Sequence, residues 1–151
     1  MYSQQRERKN LERNVSNLND FLNELDIRVK IKKSNNFLIP RISQLTLKTN
    51  QFNLRTKRHS ESKLSKIIND SRNISLTVSL SDQFGDQGTI GLIIGLAKNN
   101  STLFIDSFLL SCRALGRGVE KILWYVFLQQ AIKKNIKNIK AEYICTQKNS
   151  Q

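Results

Sequence analysis

The segment 113–118 has the sequence RALGRG, an R-x-x-G-x-G pattern with two glycines and two arginines. Glycine lets backbone N–H groups approach a ligand closely, and a helix N-terminus carries partial positive charge. A loop of this kind between a strand and a helix is an anion site, and pyrophosphate is its usual occupant. Arg113 and Arg117 add full charges beside Gly116 and Gly118. The alternative is a tight strand-to-helix turn in which the glycines only permit positive φ.

The elements on either side of this loop have to position it. The preceding run TLFIDSFLLSC, residues 102–112, is almost continuously apolar, which predicts a strand covered on both faces. The following segment, 119–135, spaces its apolar residues at i, i+3 and i+4, which predicts a half-buried helix. The apolar positions of that helix are Val119, Ile122, Leu123, Val126, Phe127 and Ala131.

Composition limits the class of protein. The chain has 151 residues, of which 38% are hydrophobic, so it is long enough for one domain with a buried core. No apolar run reaches the roughly 18 residues that span a bilayer, and the N-terminus lacks the apolar block of a secretory signal, so we expect no membrane association. Cys112 and Cys145 suggest no disulfide framework, which favours a reducing, cytoplasmic location.

The formal net charge of +13 would suit nucleic acid, an acidic protein partner or a phosphorylated ligand. The basic residues are nevertheless scattered along the chain, aromatic residues are not interleaved with them, and no nucleic-acid-binding motif accompanies them. We therefore interpret most of this charge as solvated surface and do not favour a nucleic-acid partner.

The remaining patterns place the strand, loop and helix in a larger sheet. Residues 1–25 carry the apolar stripe of a helix that links or enters the domain, formed by Leu11, Val15, Leu18, Leu22 and Leu25. The patterns in residues 26–151 predict one domain. Its expected elements are a strand at 27–33, a helix from Pro40, a polar loop at 48–60, a helix at 61–69, strands at 73–81 and 89–98, the strand, loop and helix at 102–135 and a last strand at 136–145. Three antiparallel strands followed by a βαβ crossover predict an α/β fold, a mixed sheet with helices on both faces.

Four blocks of the chain resemble the GNAT acyltransferase superfamily, and more closely the GNAT-like C-terminal domain of FkbH-like proteins, which carry a HAD-superfamily (HAD-IIIC) domain upstream. These blocks are 41–58 (RISQLTLKTNQFNLRTKR), 84–91 (FGDQGTIG), 105–120 (IDSFLLSCRALGRGVE) and 143–149 (YICTQKN). The resemblance implies an N-acetyltransferase-like fold that handles an acyl thioester, either CoA or the phosphopantetheine of an acyl carrier protein. In the longer relatives this domain follows one linked to loading a glyceryl unit onto a carrier protein for polyketide-type biosynthesis.

The thioester is expected at the end of the central strand and in the loop. Backbone groups that end the strand could pair with a pantetheine arm, and the loop would hold its phosphate. The residues expected to bind this cofactor are Leu110, Ser111, Cys112, Arg113, Gly116, Arg117, Gly118 and Val119.

An Asn- and Gln-rich stretch around one aromatic residue, 49–53, is the candidate acceptor site. It offers donors, acceptors and an apolar platform for a small polyhydroxy acyl group or another small-molecule acceptor. It equally suits a capping and turn segment, because Asn favours such positions. The residues expected to contact substrate are Asn50, Gln51, Phe52, Asn53 and Arg58, with Asn149 in a C-terminal loop.

Asp106 is the candidate catalytic residue, because it lies among apolar neighbours in the central strand. A carboxylate there must be hydrogen-bonded or have a raised pKa, and a raised pKa would suit a general base. Structural pairing with Arg58 or Arg113 is the alternative.

Three other side chains invite chemical interpretations. Cys112 lies beside two arginines and a helix N-terminus, so it is either an acyl-thioester nucleophile or a buried unreactive thiol. Glu120 is better placed to complement the helix dipole than to act as a base. His59 is the single histidine and has no ligand spacing around it, so we expect no metal site.

Departures from the family pattern support a second hypothesis. The chain contains no HAD domain, Arg55, His59 and Cys145 stand where relatives more often have Thr, Tyr and Pro, and the helix that follows Asn149 in GNAT folds is not in the sequence. The alternative is a non-catalytic module that docks an acidic carrier protein, or one piece of a C-terminally truncated, split protein whose HAD-type domain is encoded separately. A last strand without a partner is an edge, so we also expect association through it, as in a homodimer.

Overall fold

The computed structural model describes residues 2–14, 17, 20, 23–49 and 51–150. Its helices are α1 (Tyr2–Asn14), α2 (Ile39–Lys48), α3 (Glu61–Asn69) and α4 (Val119–Lys133), with short 3₁₀ turns at Asn36–Leu38 and Cys112–Ala114. Its strands are β1 (Arg28–Lys33), β2 (Phe52–Asn53), β3 (Ile74–Asp82), β4 (Gly85–Asn99), β5 (Thr102–Leu110) and β6 (Asn138–Lys140). No helix within these ranges is long and apolar enough to cross a membrane.

The strands form one six-stranded mixed sheet in the order β1-β3-β4-β5-β2, with β6 also beside β5. Strands β3, β4 and β5 pair antiparallel in sequence, and α4 carries the chain from β5 to the parallel strand β6. This is the crossover that the sequence patterns predict. The predicted fold class, a mixed α/β sheet with helices, is confirmed.

Alternation along the central strands divides the core into two layers, because successive side chains of a strand point to opposite faces of the sheet. Ile93 and Leu103 belong to the layer under α4. Leu92 and Ile94 belong to the layer under α2 and α3. Helices therefore cover both faces, and β4 and β5 are buried on both sides.

Helix α4 packs on the sheet through one row of residues at i, i+4 spacing: Val119, Leu123, Phe127 and Ala131. The expectation that Ile122 is buried was wrong, since this side chain is 45% exposed on the outer face. The helix approaches the sheet closely at Gly95, where an added Cβ would lie 2.7 Å from the ring of Phe127. The glycine lets the large ring fill the space over β4, and Trp124 and Val126 pack against the same core beside the buried row.

One strand was not expected from the sequence. The segment 48–60, predicted to be a polar loop, contains β2, which pairs Phe52 with Leu110 and Asn53 with Leu109. Two residues are too few for a periodic pattern, so side-chain alternation could not predict this strand.

The last strand is shorter than the predicted span 136–145. Among the residues that the structure describes, strand β6 pairs only with Thr102–Phe104 of β5. Beyond it the chain leaves β5, and the N–H of Ile144 donates to the carbonyl of Leu54 at 2.9 Å. The backbone of this segment is therefore paired with the chain next to β2 instead of with the sheet.

The N-terminal helix also differs from the expected span. Helix α1 ends at Asn14, and Leu25, predicted at the end of the apolar stripe, is fully buried in a turn. Leu11 is half-buried. The other members of the predicted stripe, Val15, Leu18 and Leu22, lie outside the described residues.

Candidate functional site

The loop 113–118 enters α4 at Val119. Gly116 and Gly118 have φ of +74° and +70°, a backbone conformation that L side chains rarely adopt. Apart from the adjoining residues, no atom of the described chain lies within 4 Å of the place where either glycine would carry a Cβ. A simple turn would account for the positive φ of the two glycines. The open space beside their backbone is what a bound ligand would occupy.

Unpaired backbone donors lie in the same loop. In the described part of the chain, the N–H groups of Gly116, Arg117 and Gly118 have no hydrogen-bond acceptor. On either side, Leu115 donates to the carbonyl of Cys112 at 3.4 Å and Lys121 donates to that of Gly118 at 3.2 Å. Free donors at the N-terminus of a fifteen-residue helix are suited to an anion.

The two arginines of the loop face different surroundings. Arg117 is turned inward: its side chain is 13% exposed, and Nη1 lies 3.7 Å from Oδ2 of Asp82. Burial lowers the pKa of Arg41, and the positive charge of Arg113 lowers it further. The carbonyl of Thr89 holds Arg41 through Nε and Nη2 at 3.1 and 2.8 Å. We did not predict Arg41 as a site residue, although it opens the first block that resembles the family.

The end of β5 is not available for the expected pairing with a ligand. Leu110 pairs with Phe52 of β2 on the outer edge of the sheet. Ser111 donates its N–H to the carbonyl of Ile90 in β4 at 2.7 Å. A pantetheine arm would have to displace β2 to pair there, so this part of the expectation needs correction.

A gap remains further along the same edge. Strand β6 covers Thr102–Phe104 of β5, and β2 covers Leu109 and Leu110, with Leu54 donating to the carbonyl of Phe108 at 3.0 Å. Residues 105–107 are left without a strand partner on this edge within the described residues. The free part of the edge is therefore in the middle of β5.

A cavity of about 360 Å³ opens beside this gap, and the surface of its walls is apolar. Phe108 lines this cavity. Its ring meets that of Phe52 edge-on, with the centroids 5.2 Å apart, and stacks on that of Trp124, with the centroids 6.2 Å apart. Oε2 of Glu120, in the first turn of α4, is buried and has no hydrogen-bond partner among the described residues. The lining residues are Phe52, Leu54, Ile105, Phe108, Glu120, Lys121, Trp124 and Ala141.

The candidate acceptor stretch lies against the end of β5. Oε1 of Gln51 accepts from Sγ of Cys112 at 3.3 Å. The amide of Asn53 is buried and makes local bonds, donating to the carbonyl of Thr49 at 3.0 Å and accepting from the N–H of Thr56 at 2.9 Å. These are turn contacts, so the capping interpretation holds for Asn53. Asn50 lies outside the described residues.

Arg58 also has a structural contact that limits it as a substrate residue. Its guanidinium donates to the carbonyls of Thr46 and Thr49 at the end of α2. Cations commonly stabilise the C-terminus of a helix in this way.

Asn149 joins the C-terminal segment to β2. Its buried Nδ2 donates to the carbonyl of Asn53 at 2.9 Å and to that of Ile144 at 3.0 Å. Its Oδ1 accepts from the N–H of Thr146 at 2.6 Å. The structure thus brings together two segments that the resemblance had singled out separately.

Asp106 is 1% exposed and forms hydrogen bonds with His59 Nε2 at 2.6 Å, Ser107 Oγ at 3.0 Å and Lys57 Nζ at 3.2 Å. Burial alone would raise the pKa of Asp106, but these donors and their charges hold it well below its usual range. Of the two alternatives, the structure shows the hydrogen-bonded carboxylate, and its hydrogen-bond partners among the described residues are His59, Lys57 and Ser107. His59, in the segment predicted to be a polar loop, is 2% exposed.

No family model and no curated protein matches this chain. Solved structures do match it. Ard1 from Thermoplasma volcanium is 13% identical over 75% of this chain and 70% of its own, with a TM-score of 0.58. The ribosomal-protein-alanine N-acetyltransferase from Brucella melitensis biovar Abortus 2308 is 12% identical over 81% of this chain and 83% of its own, with a TM-score of 0.58. Rv2747 from Mycobacterium tuberculosis, solved in complex with CoA and NLQ, is 12% identical over 74% of this chain and 63% of its own, with a TM-score of 0.60.

The chain has the GNAT fold. Identities this low establish the arrangement of the elements and nothing finer, and the chain spans less than two thirds of the length of Rv2747.

The cysteines of this GNAT fold lie outside the sheet. Cys112 is in the 3₁₀ turn after β5, Cys145 follows β6, and both are exposed and free. The alternative of a buried thiol at Cys112 was wrong, because β5 ends at Leu110, before this residue. Among the described residues, no group of three or more His, Cys, Asp or Glu side chains could hold a metal ion.

Proposed function

We propose that this chain binds an acyl thioester, either CoA or the phosphopantetheine of a carrier protein, and acts as an acyltransferase. The observation that carries the proposal is the set of unpaired N–H groups at 116–118, at the N-terminus of α4. Phosphate oxygens would accept from these donors, and Arg113 would add a full charge. Binding of CoA by the structural neighbour Rv2747 supports this choice of ligand.

The pantetheine arm would run from the loop through the apolar cavity under Trp124 and Phe108. Its methylene and methyl groups would be buried against these rings. Its amides would pair with the free edge of β5 at 105–107, since β2 already occupies Leu109 and Leu110. The thioester would then lie near the middle of β5.

Acyl transfer at this position would depend on placement of the reactants. Asp106 does not serve as the general base, because its carboxylate is already engaged by His59, Lys57 and Ser107. Holding the thioester and the acceptor in attack geometry can supply a large part of the barrier reduction without a protein base.

The finer identity of the reaction rests on the sequence resemblance. By that resemblance the domain belongs with the FkbH-like proteins, and the acyl group would be a glyceryl unit carried by an acyl carrier protein. Gln51 and Phe52 are the described residues of the acceptor stretch best placed to contact it, since Gln51 is exposed beside Cys112. A separately encoded HAD-type domain would supply the activated glyceryl unit.

Calorimetric titration of CoA tests the thioester site. Gly116→Asp puts a carboxylate where the phosphate would bind. Asn135→Asp is its control, because it adds a carboxylate at an exposed residue that also has positive φ, +57°, just beyond the opposite end of α4. We expect binding to the wild type and to Asn135→Asp, and a loss of at least about tenfold in Gly116→Asp. No binding to the wild type, or equal binding to both variants, would remove the proposal.

The second candidate is a non-catalytic module that holds an acidic carrier protein. The net charge of +13 and the adjacent guanidinium groups of Arg41 and Arg113 favour it. Association driven by such charges weakens steeply with salt, whereas CoA itself would not compete. A carrier-protein titration at two salt concentrations, with and without CoA, separates the two functions.

A further inference from the structure

Arg117, between the two glycines of the loop, has a buried charge that is incompletely paired. Its Nη1 is 3.7 Å from Oδ2 of Asp82, which is an ion-pair distance but too long for a hydrogen bond. The same nitrogen is buried and forms no hydrogen bond within the described residues. Burial lowers the pKa of this guanidinium, but arginine remains charged at any ordinary pH.

Asp82 is bound more closely by Arg8 of helix α1 than by Arg117. The side chain of Asp82 is fully buried, and Arg8 donates to both of its oxygens, from Nε at 2.6 Å and from Nη2 at 2.7 Å. Gln87 Nε2 and the N–H of Phe84 each donate one further bond, both at 3.0 Å. A carboxylate has about four acceptor positions, so two bonds from Arg8 and one each from Gln87 and Phe84 fill them.

We propose that Arg8 is a positioning residue for the anion site: by saturating Asp82, it leaves the buried Nη1 of Arg117 without a hydrogen bond, so that this guanidinium can turn from Asp82 towards a phosphate bound in the loop. The proposal rests on the proposed function, in which that phosphate belongs to CoA. The charges that act on Arg117 are those of Asp82, Arg8 and Glu12. Glu12 is exposed. Among the described residues, the buried charges here are therefore the guanidinium ions of Arg8 and Arg117 against the carboxylate of Asp82.

Loss of Arg8 would let Asp82 capture Arg117. A shift of about 1 Å would turn the ion pair between Arg117 and Asp82 into a charge-assisted hydrogen bond. The guanidinium of Arg117 would then be held by Asp82 and could not bind the ligand. Docking of α1 and binding of the anion are then coupled, and the coupling acts equally in both directions. Most side chains of α1 are exposed, so the ion pair of Arg8 is one of the few contacts that hold this helix on the domain.

A double-mutant cycle tests this coupling by calorimetry, with CoA and inorganic pyrophosphate as probes. The proteins are the wild type, Arg8→Met, Arg117→Met and the double variant. Arg6→Met is the matched control, because Arg6 is an exposed arginine of the same helix. We expect Arg8→Met to weaken binding by about tenfold in the wild type but not in the Arg117→Met background, and Arg6→Met to have little effect.

Arg8→Lys provides a second variant, since lysine keeps the charge but cannot form the two-bond fork. We expect an intermediate loss, and this variant decides the matter if Arg8→Met fails to fold. Equal losses from Arg8→Met in both backgrounds, or a loss from Arg6→Met as large as that from Arg8→Met, would overturn the proposal. A wild type that binds neither probe refutes the proposed function and this inference with it. A wild type that binds while Arg8→Met binds equally well refutes only the inference.

Discussion

Nε2 of His59 lies 2.6 Å from Oδ2 of Asp106, and this buried pair joins the segment before α3 to the middle of β5. His59 is the residue that precedes Ser60, the N-cap of α3. The short bond therefore fixes the start of that helix against the central strand. An unpaired carboxylate at this depth would be costly, so His59 compensates for the burial of Asp106.

We predict that the hydrogen bond from residue 59 matters more than the shape of its ring. His59→Phe leaves Asp106 without this donor and should lower the free energy of unfolding by about 2–4 kcal/mol. His59→Tyr restores a hydroxyl donor, and should be clearly less destabilised in urea titrations. Equal destabilisation of the two variants, which differ by one hydroxyl group, would show that the bond contributes little.

The contribution of Asp82 to stability should depend on pH. Burial would raise the pKa of Asp82, but the hydrogen bonds and charge of Arg8 and the N–H of Phe84 lower it below its usual range. An unfolded aspartate titrates near about 3.9, so the folded state gains stability above that pH and loses it as the pH falls through the lower folded pKa. The difference in unfolding free energy between wild type and Asp82→Asn should be constant from about pH 7 to 5 and shrink below about pH 4. A difference that grows towards acid would contradict this sign.

Gly95 and Phe127 should be energetically coupled. A methyl group at Gly95 would lie 2.7 Å from the Phe127 ring, so Gly95→Ala should cost about 1–3 kcal/mol of unfolding free energy through overpacking. Phe127→Leu removes the ring and should make the added methyl nearly neutral. Denaturation of the two single variants and the double variant measures the coupling, and strictly additive losses would exclude this close contact.

Asn149 should control the order of the C-terminal segment. Asn149→Ala removes the bonds to Asn53 and Ile144, so amide exchange at Ile144 and Thr146 should accelerate while the centre of β4 stays protected. Asn149→Asp keeps the acceptor for Thr146 but loses both donors, and should behave in an intermediate way. Unchanged exchange in Asn149→Ala would show that other contacts hold this segment.

Association through the sheet edge stays a prediction. Strand β6 pairs with β5 and with no other strand in the described residues, and Ile144 beyond it is 42% exposed. We expect sedimentation equilibrium to show concentration-dependent association that Ile144→Lys weakens, because a charge disfavours edge pairing. A monomer with a concentration-independent melting temperature would rule this out.

The sequence by itself determined the elements and the class of fold. The apolar run of β5, the alternation in β3 and the spacing in α4 are local signals, because strand and helix geometry repeat within a few residues. The loop RALGRG could also be predicted from the sequence, since both of its glycines have the positive φ for which glycine is best suited. The ends of the predicted strands, the span of the N-terminal helix and the partly exposed face of α4 were misplaced, and β2 was missed, because pairing and burial depend on what lies opposite.

Only the tertiary structure decided which polar groups meet. Asp82 and Arg8 are 74 residues apart, and Asp106 and His59 are 47 apart. No periodic pattern relates such positions, and each pair is set by how the sheet brings two segments together. The strand β2 depended on the fold for the same reason: its two residues form a strand only because the outer edge of β5 is there to pair with them.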